Sequence, residues 1–170
     1  MSLMLSPFPS RTFIVSSGTV YVADSNGIIA NVGTPQDQLD LQAAGCVVLQ
    51  PMSNIGRLFA ANFNVTTDQP ITMGINAKFR VTKITVENTS IPGMSTAVGG
   101  IYTAPSKAGS AIVAASQVYT GLTNATTALD LTLALPNLVL PPLQTLYFSL
   151  TTPQEVAATA DLFIFGDVYS

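Results

Sequence analysis

Short alternating runs, broken by turn residues at close intervals, limit what this chain can become. Leu129, Leu131, Leu133 and Leu135 alternate with Asp130, Thr132 and Ala134. Residues 58–65 alternate through Phe59, Ala61, Phe63 and Val65, and residues 145–151 (TLYFSLT) and 161–168 (DLFIFGDV) are further apolar runs. Period two sends successive side chains to opposite faces of a sheet, so each run reads as a strand. Asp68-Gln69-Pro70, Pro92-Gly93 and the residues at 105–109 and 137–142 interrupt the runs. Turn signals roughly every 8–14 residues predict about eight short strands over residues 57–170, folded as an antiparallel β-sandwich or jelly roll. In residues 78–88, Phe79 and Val81 share one parity and Ile84 and Val86 the other. A bulge near Thr82-Lys83, or a change of sheet, would reconcile them. Residues 110–119 are read as a strand with a bend, although their alanines also permit a helix.

The first part of the chain has a different grammar. Residues 19–23 and 28–32 predict two strands of a hairpin, joined by Asp24-Ser25-Asn26-Gly27, whose Asn and Gly tolerate positive φ. Thr34 is placed to cap a helix, Pro35 to begin it, and Asp37 to sit near its positive end. Leu39 and Ala43 fall at helical spacing, with Leu41 and Ala44 beside them; Gly45 would end the helix, and residues 46–49 leave as a strand. Residues 18–56 are therefore expected to form a small hairpin-helix-strand module, ending in the turn-rich QPMSNIG at 50–56. The Pro/Ser-rich residues 1–17 are expected to be an extended arm with a short strand at its end. The fold class is mainly β: a small N-terminal hairpin-helix module followed by an antiparallel β-sandwich, jelly-roll-like, over 57–170.

Composition narrows the functional classes. The 170 residues include no histidine. That removes Ser-His-Asp and Cys-His catalysis, the commonest metal ligand and the usual neutral-pH proton shuttle. The acidic side chains Asp24, Asp37, Asp40, Asp68, Glu87, Asp130, Glu155, Asp161 and Asp167 are dispersed. Asp24–Gly27 fails the calcium-loop pattern, because its glycine comes too early and the downstream glutamate is missing. Gly99-Gly100 lacks the other elements of a phosphate loop; close packing or a bulge is the expectation. Cys46 is the chain's one cysteine, which excludes an intrachain disulfide, and an apolar run surrounds it. No catalytic, cofactor-binding or metal-binding residue is assigned, and no cofactor is expected.

The six basic residues are scattered, and a nucleic-acid binder needs a basic stripe. Lys78, Arg80 and Lys83 come nearest and read as a solvated or partner-facing side of a strand. Only 9% of residues are charged, against about 25% in a typical domain. A chain this poor in charge and rich in small polar residues suits an assembly that covers much of its surface. Sequons at Asn64, Asn88 and Asn124 are expected in a Thr-rich chain. Tyr102, Tyr119, Tyr147, Phe148, Phe163, Phe165 and Tyr169 could line a carbohydrate site, but their strand positions favour core or subunit packing. The N-terminus does not read as a signal peptide, and no apolar stretch approaches the ~20 residues of a membrane span.

VYVADSNGIIANV followed by DQLDLQAAGCVVL resembles a module found in structural proteins of tailed bacteriophages, with a Y-x-A-D-x-N-G hairpin before a helix ending L-x-x-A-G-C. The stretches AVGGIYTAPSKAGSAIVAASQVYTGLT, TLYFSLTTPQ and ATADLFIFGDVY resemble a β-rich virion domain. The resemblance implies a non-enzymatic virion structural protein, made in the host cytoplasm. A capsid decoration or cement protein leads, acting as a homo-oligomer, a trimer or dimer, on the major capsid protein or other virion subunits. Neither nucleic acid nor membrane is an implied partner. A head-fibre, tail-fibre or tail adaptor subunit, or a carbohydrate-binding host-attachment module, is the alternative.

Overall fold

The computed structural model describes residues 2–24, 28–49 and 53–169. The protein is mainly β and its strand pairings are antiparallel. The chain forms two compact units, Met1–Pro51 with Asp167–Ser170, and Met52–Gly166.

The first unit contains β1 (Ser2–Leu5), β2 (Thr12–Ile14), β3 (Val20–Val22), β4 (Ile28–Val32), α1 (Pro35–Ala43) and β5 (Val47–Leu49). Residues 1–17 do not remain an extended arm. β1 lies between β4 and β5 and pairs with both, and β2 pairs with β3. The expected hairpin partners therefore separate, β3 to β2 and β4 to β1. Asp24 still closes locally: its N–H donates to Ile28 O and its Oδ1 accepts from Ile28 N–H. Ser25–Gly27 of the expected turn lie outside the described residues. Met4, Phe13, Tyr21, Ile29, Leu41 and Cys46 meet in the unit's core. The supposed arm is drawn in because its Met4 and Phe13 supply apolar surface that a module of residues 18–56 would lack.

Helix α1 begins and ends as its sequence dictates. Thr34 has extended φ/ψ and its Oγ1 accepts the Asp37 N–H at 3.1 Å, with Pro35 in the first turn. Gly45 adopts φ +88°. Its N–H donates to Gln42 O, and Cys46 N–H to Leu41 O, each at 2.9 Å, a Schellman closure. The expected apolar stripe is narrower than its spacing suggested. Leu39 is 57% exposed and Ala43 is exposed, whereas Asp37 and Leu41 are buried. A nine-residue helix is marginal alone. Polar contacts help hold this one: Asp37 accepts from Ser17 Oγ at 2.8 Å and Tyr21 OH at 2.9 Å, and Asp40 accepts from Ser16 N–H at 2.7 Å.

The second unit contains β6 (Ser53–Asn62), β7 (Gln69–Met73), β8 (Lys78–Glu87), β9 (Val98–Ala104), β10 (Ala108–Val113), β11 (Leu129–Asp130), β12 (Val139–Leu140), β13 (Leu146–Thr152) and most of β14 (Thr159–Tyr169). Strand β6 starts at Ser53, so the chain re-enters a sheet before the expected boundary at residue 57. The strand order is β10-β9-β13-β7-β6-β14, with β8 paired to β14, β11 and β12. Strand β7 serves two neighbours in turn. Gln69–Ile71 pair with β13, and Thr72 and Met73 with β6. Residues 129–135 are strand only at Leu129–Asp130; Leu133 then forms an isolated bridge to Val113. Residues 110–119 are likewise strand only as far as Val113.

Phe63, Tyr119 and Phe148 form the aromatic centre of this unit, all fully buried. Phe63 lies 5.0 Å from each of the other two rings, and Tyr119 6.0 Å from Phe148. Gly99 and Gly100 behave as the sequence suggests, in close packing. A Cβ on either would strike backbone, that of Leu150 for Gly99 and Val113 for Gly100.

Candidate functional site

The strongest candidate lies on the outer face of β6, β14, β8 and β11. In β14, Ala160, Leu162 and Ile164 are buried, while Asp161, Phe163 and Phe165 alternate toward the other face. In β8, Phe79, Val81, Ile84 and Val86 are all buried despite their conflicting parity. Thr82 and Lys83, both half-buried, take up the change, which turns Lys83, Thr85 and Glu87 outward. Asp130 of β11 stands opposite Thr85, and Arg57 of β6 opposite Phe163.

Phe59 joins this face through a bulge. Its parity matches Ala61 and Phe63, which are buried, yet Phe59 is 55% exposed. Leu58 pairs with Leu162 and Ala61 with Ala160, so Phe59 and Ala60 together oppose Asp161. Ala60 takes φ +48°, and its N–H donates to Asp161 Oδ1 at 2.8 Å. Asp161 Oδ2 accepts from Asn88 Nδ2 at 2.9 Å, so this carboxylate fixes the bulge.

A surface cavity of about 510 Å³ is lined by Lys83, Thr85, Glu87, Ala128, Asp130, Phe163 and Phe165. Lys83 Nζ lies 3.0 Å from Asp130 Oδ2, and Thr85 Oγ1 donates to Asp130 Oδ1 at 2.7 Å. The Thr85 hydrogen bond, then that from Lys83, holds the Asp130 carboxyl below its usual range, against a smaller opposing effect of burial. The Glu87 side chain has no hydrogen-bond or ion-pair partner among the described residues. Beside the cavity, Phe59 meets Phe163 edge-on at 5.9 Å, and the Arg57 guanidinium lies 5.1 Å over the Phe59 ring. Six basic and nine acidic residues serve the whole chain, yet Arg57, Lys83, Glu87, Asp130 and Asp161 gather here.

The remaining candidates are placed differently. A sugar site built on exposed tyrosines is not what the fold presents. Tyr21, Tyr102, Tyr119 and Tyr169 are buried and Tyr147 is half-buried; Phe148 is buried as well. Tyr119 donates to Gly99 O at 3.3 Å, and burial pushes its phenol above the tyrosine range. Phe163 and Phe165 alone of the seven aromatics face this cavity. Lys83 separates from Lys78 and Arg80 in role, being paired with Asp130. Cys46 is buried, and burial raises its thiol pKa. Asp37 and Asp40 titrate below the usual carboxylate range, Asp37 chiefly through Ser17 and Asp40 through Ser16. Asn64 is tied down, its Nδ2 donating to Gln154 O and Val156 O at 2.7 Å each.

Sequence reasoning missed Phe59 and the grouping of Lys83, Glu87 and Asp130. One signal was present. Phe163 and Phe165 share parity with Asp161 and Asp167, while Leu162 and Ile164 take the opposite parity. Among the described residues no cluster of three or more His, Cys, Asp or Glu could hold a metal ion, and no helix is long and apolar enough to cross a membrane. Compared with known proteins, the chain matches no family model, no curated protein and no solved structure.

Proposed function

We propose that this chain is a non-enzymatic structural protein of a tailed-phage virion, a decoration or cement protein that stabilises the assembled head as a homo-oligomer. One observation carries the assembly role: the two-stranded sheet β2–β3 is apolar on both faces. Phe13 and Tyr21 enter the core of the first unit, while Ile14, Val20 and Val22 are 75%, 56% and 58% exposed. Ile14 and Val20 are cross-strand partners, so they form one patch, with Thr12 and Val22 paired beside it. Covering such a patch removes apolar area from water without separating an ion pair. The virion setting rests on the phage-like residues at 20–32 and 37–49. The second unit is read as a jelly-roll-like sandwich. The divided loyalty of β7, pairing β13 and then β6, supports that reading because sandwich strands switch sheets at corners.

In this reading the Ile14-Val20-Val22 face docks on the major capsid protein, and the bound copies favour the assembled shell by mass action. The test is co-sedimentation of the full chain with preformed capsids, followed by heat challenge. Binding should raise capsid resistance to heat, and Ile14→Glu with Val20→Glu should abolish both effects while leaving the protein's own melting transition in place. Failure of the native chain to bind capsids would sink the proposal, as would unchanged binding by the double variant. Surface substitutions are preferred to deleting residues 1–56, because that cut would remove β1–β5 and the start of β6.

A further inference from the structure

We infer that the cavity between β14, β8 and β11 is a binding site for a neutral oligosaccharide. The inference does not depend on the virion reading. Three features of the cavity select this ligand class.

The first is the pair Phe163 and Phe165, which reach the cavity from alternate positions of one strand. The negative face of an aromatic ring attracts the weakly positive C–H groups on the flat side of a pyranose. The second is the polar set. Asp130 and Glu87 are acceptors, Lys83 is a donor, and Thr85 supplies a hydroxyl. Asp130 is already oriented by Thr85 and Lys83, so it presents its remaining lone pairs from a fixed position. The Glu87 side chain is unengaged among the described residues. Ring hydroxyls both donate and accept, and so can satisfy this mixed set.

The third feature is charge. Lys83 and Asp130 neutralise each other at 3.0 Å. An anionic ligand would meet Glu87, whose charge no cation in the cavity lining offsets. A neutral polyhydroxy ligand opposes none of these charges. The same charges disfavour a second copy of the chain as the occupant, because the buried centre of a protein interface is depleted in charged side chains. The volume, about 510 Å³, lies within the ~300–1,000 Å³ of small-molecule sites.

The test uses the full chain and four neutral probes: maltohexaose, cellohexaose, mannohexaose and chitohexaose. Saturation-transfer NMR detects binding and calorimetry measures it. At least one probe should bind with a Kd on the order of 0.1–1 mM. Phe163→Leu keeps apolar volume but removes the ring face, and should weaken binding roughly 3- to 10-fold. Glu87→Ala should weaken it by about tenfold or more, as expected for lost hydrogen bonds to a charged acceptor. Phe165→Leu gives a second reading of the ring contribution if Phe163→Leu fails to melt cooperatively. Binding of none of the four probes overturns the inference. So does binding that both leucine variants retain in full. Sedimentation showing that native chain self-associates and that Phe163→Leu dissociates it would assign the face to a second copy instead, and would also overturn it.

Discussion

The second unit holds two aromatic groups that look alike on paper and do opposite work. Phe63, Tyr119 and Phe148 are fully buried, with ring centroids 5.0–6.0 Å apart. Phe59 and Phe163 meet at nearly the same separation, 5.9 Å, yet Phe59 is more than half exposed and Phe163 is half-buried beside the cavity. Ring-to-ring geometry therefore does not distinguish core from site. What distinguishes them is the company each keeps. The inner rings have apolar neighbours and one satisfied hydroxyl, while the outer rings stand among Arg57, Lys83, Glu87 and Asp130. The inner group should carry stability and the outer group recognition.

The largest test of that contrast is truncation of one ring from each group. Phe148→Ala should destabilise the protein by about 3–5 kcal/mol, since it removes a large buried side chain and leaves a cavity. Phe163→Ala should cost less than about 1.5 kcal/mol, the range of an aromatic pair, because its site already faces water. Urea unfolding of both variants measures the difference, and equal losses would break the comparison.

Next in size is Tyr119→Phe, which deletes the hydroxyl bonded to Gly99 O and should cost about 1 kcal/mol. The native phenol has its own pH signature. Its folded pKa is raised by burial, so its contribution is complete below the ordinary tyrosine value of 10.0 and is lost as pH rises beyond it. Ultraviolet titration should find one tyrosine that ionises only when the protein unfolds in alkali, and Tyr119→Phe should abolish that step.

A smaller effect of opposite sign is expected at the bulge. Ala60 occupies the left-handed region at φ +48°, which is costly for a residue with a Cβ. Ala60→Gly should stabilise the protein by roughly 0.5–1 kcal/mol, the strain relieved less the greater freedom of glycine in the unfolded chain. A higher urea midpoint at unchanged slope is the readout. A loss of stability would show that the bulge does not depend on this backbone conformation.

The smallest effect belongs to the cavity. The pKa of the Asp130 carboxyl lies below its ordinary value of 3.8, lowered mainly by Thr85 and then by Lys83. A lowered folded pKa means that its contribution is present above that unfolded value and disappears as pH falls through the folded one. Thr85→Val should move the Asp130 titration upward, followed by carboxyl NMR, with little change in melting temperature at neutral pH. An unmoved titration would remove Thr85 from the site.

Local features were legible wherever a short stretch fixed its own geometry. The α1 boundaries follow from Thr34, Pro35 and Gly45, whose capping and φ preferences act within a few residues. The period-two runs gave β8, β13 and β14 nearly in full. The parity conflict in residues 78–88 was readable as a bulge or a change of sheet near Thr82-Lys83, and the burial pattern of β8 does change parity there. Pairing was less legible. The Asp24–Gly27 signal suggested that β3 and β4 form a hairpin, yet β2 and β1 take those partners, because ladder hydrogen bonds are available to any strand that brings apolar surface with it. The run 129–135 has strand periodicity throughout, but its ladder with β8 is confined to Leu129–Asp130, followed by a single bond from Leu131 N–H to Ile84 O, before Leu133 turns to bridge Val113.

The candidate site was legible only in part. Its outward phenylalanines share parity with Asp161 and Asp167, a purely sequential clue. Phe59 gave none, because its outward turn depends on Ala60 and on the carboxylate of Asp161, about a hundred residues away in the chain. The sequence by itself determined a β-rich chain with a capped helix, no histidine chemistry and few charges, since composition, periodicity and capping are local properties. Tertiary structure alone decided that several of those few charges would converge on two outward rings, because β6, β8, β11 and β14 become neighbours only through long-range pairing.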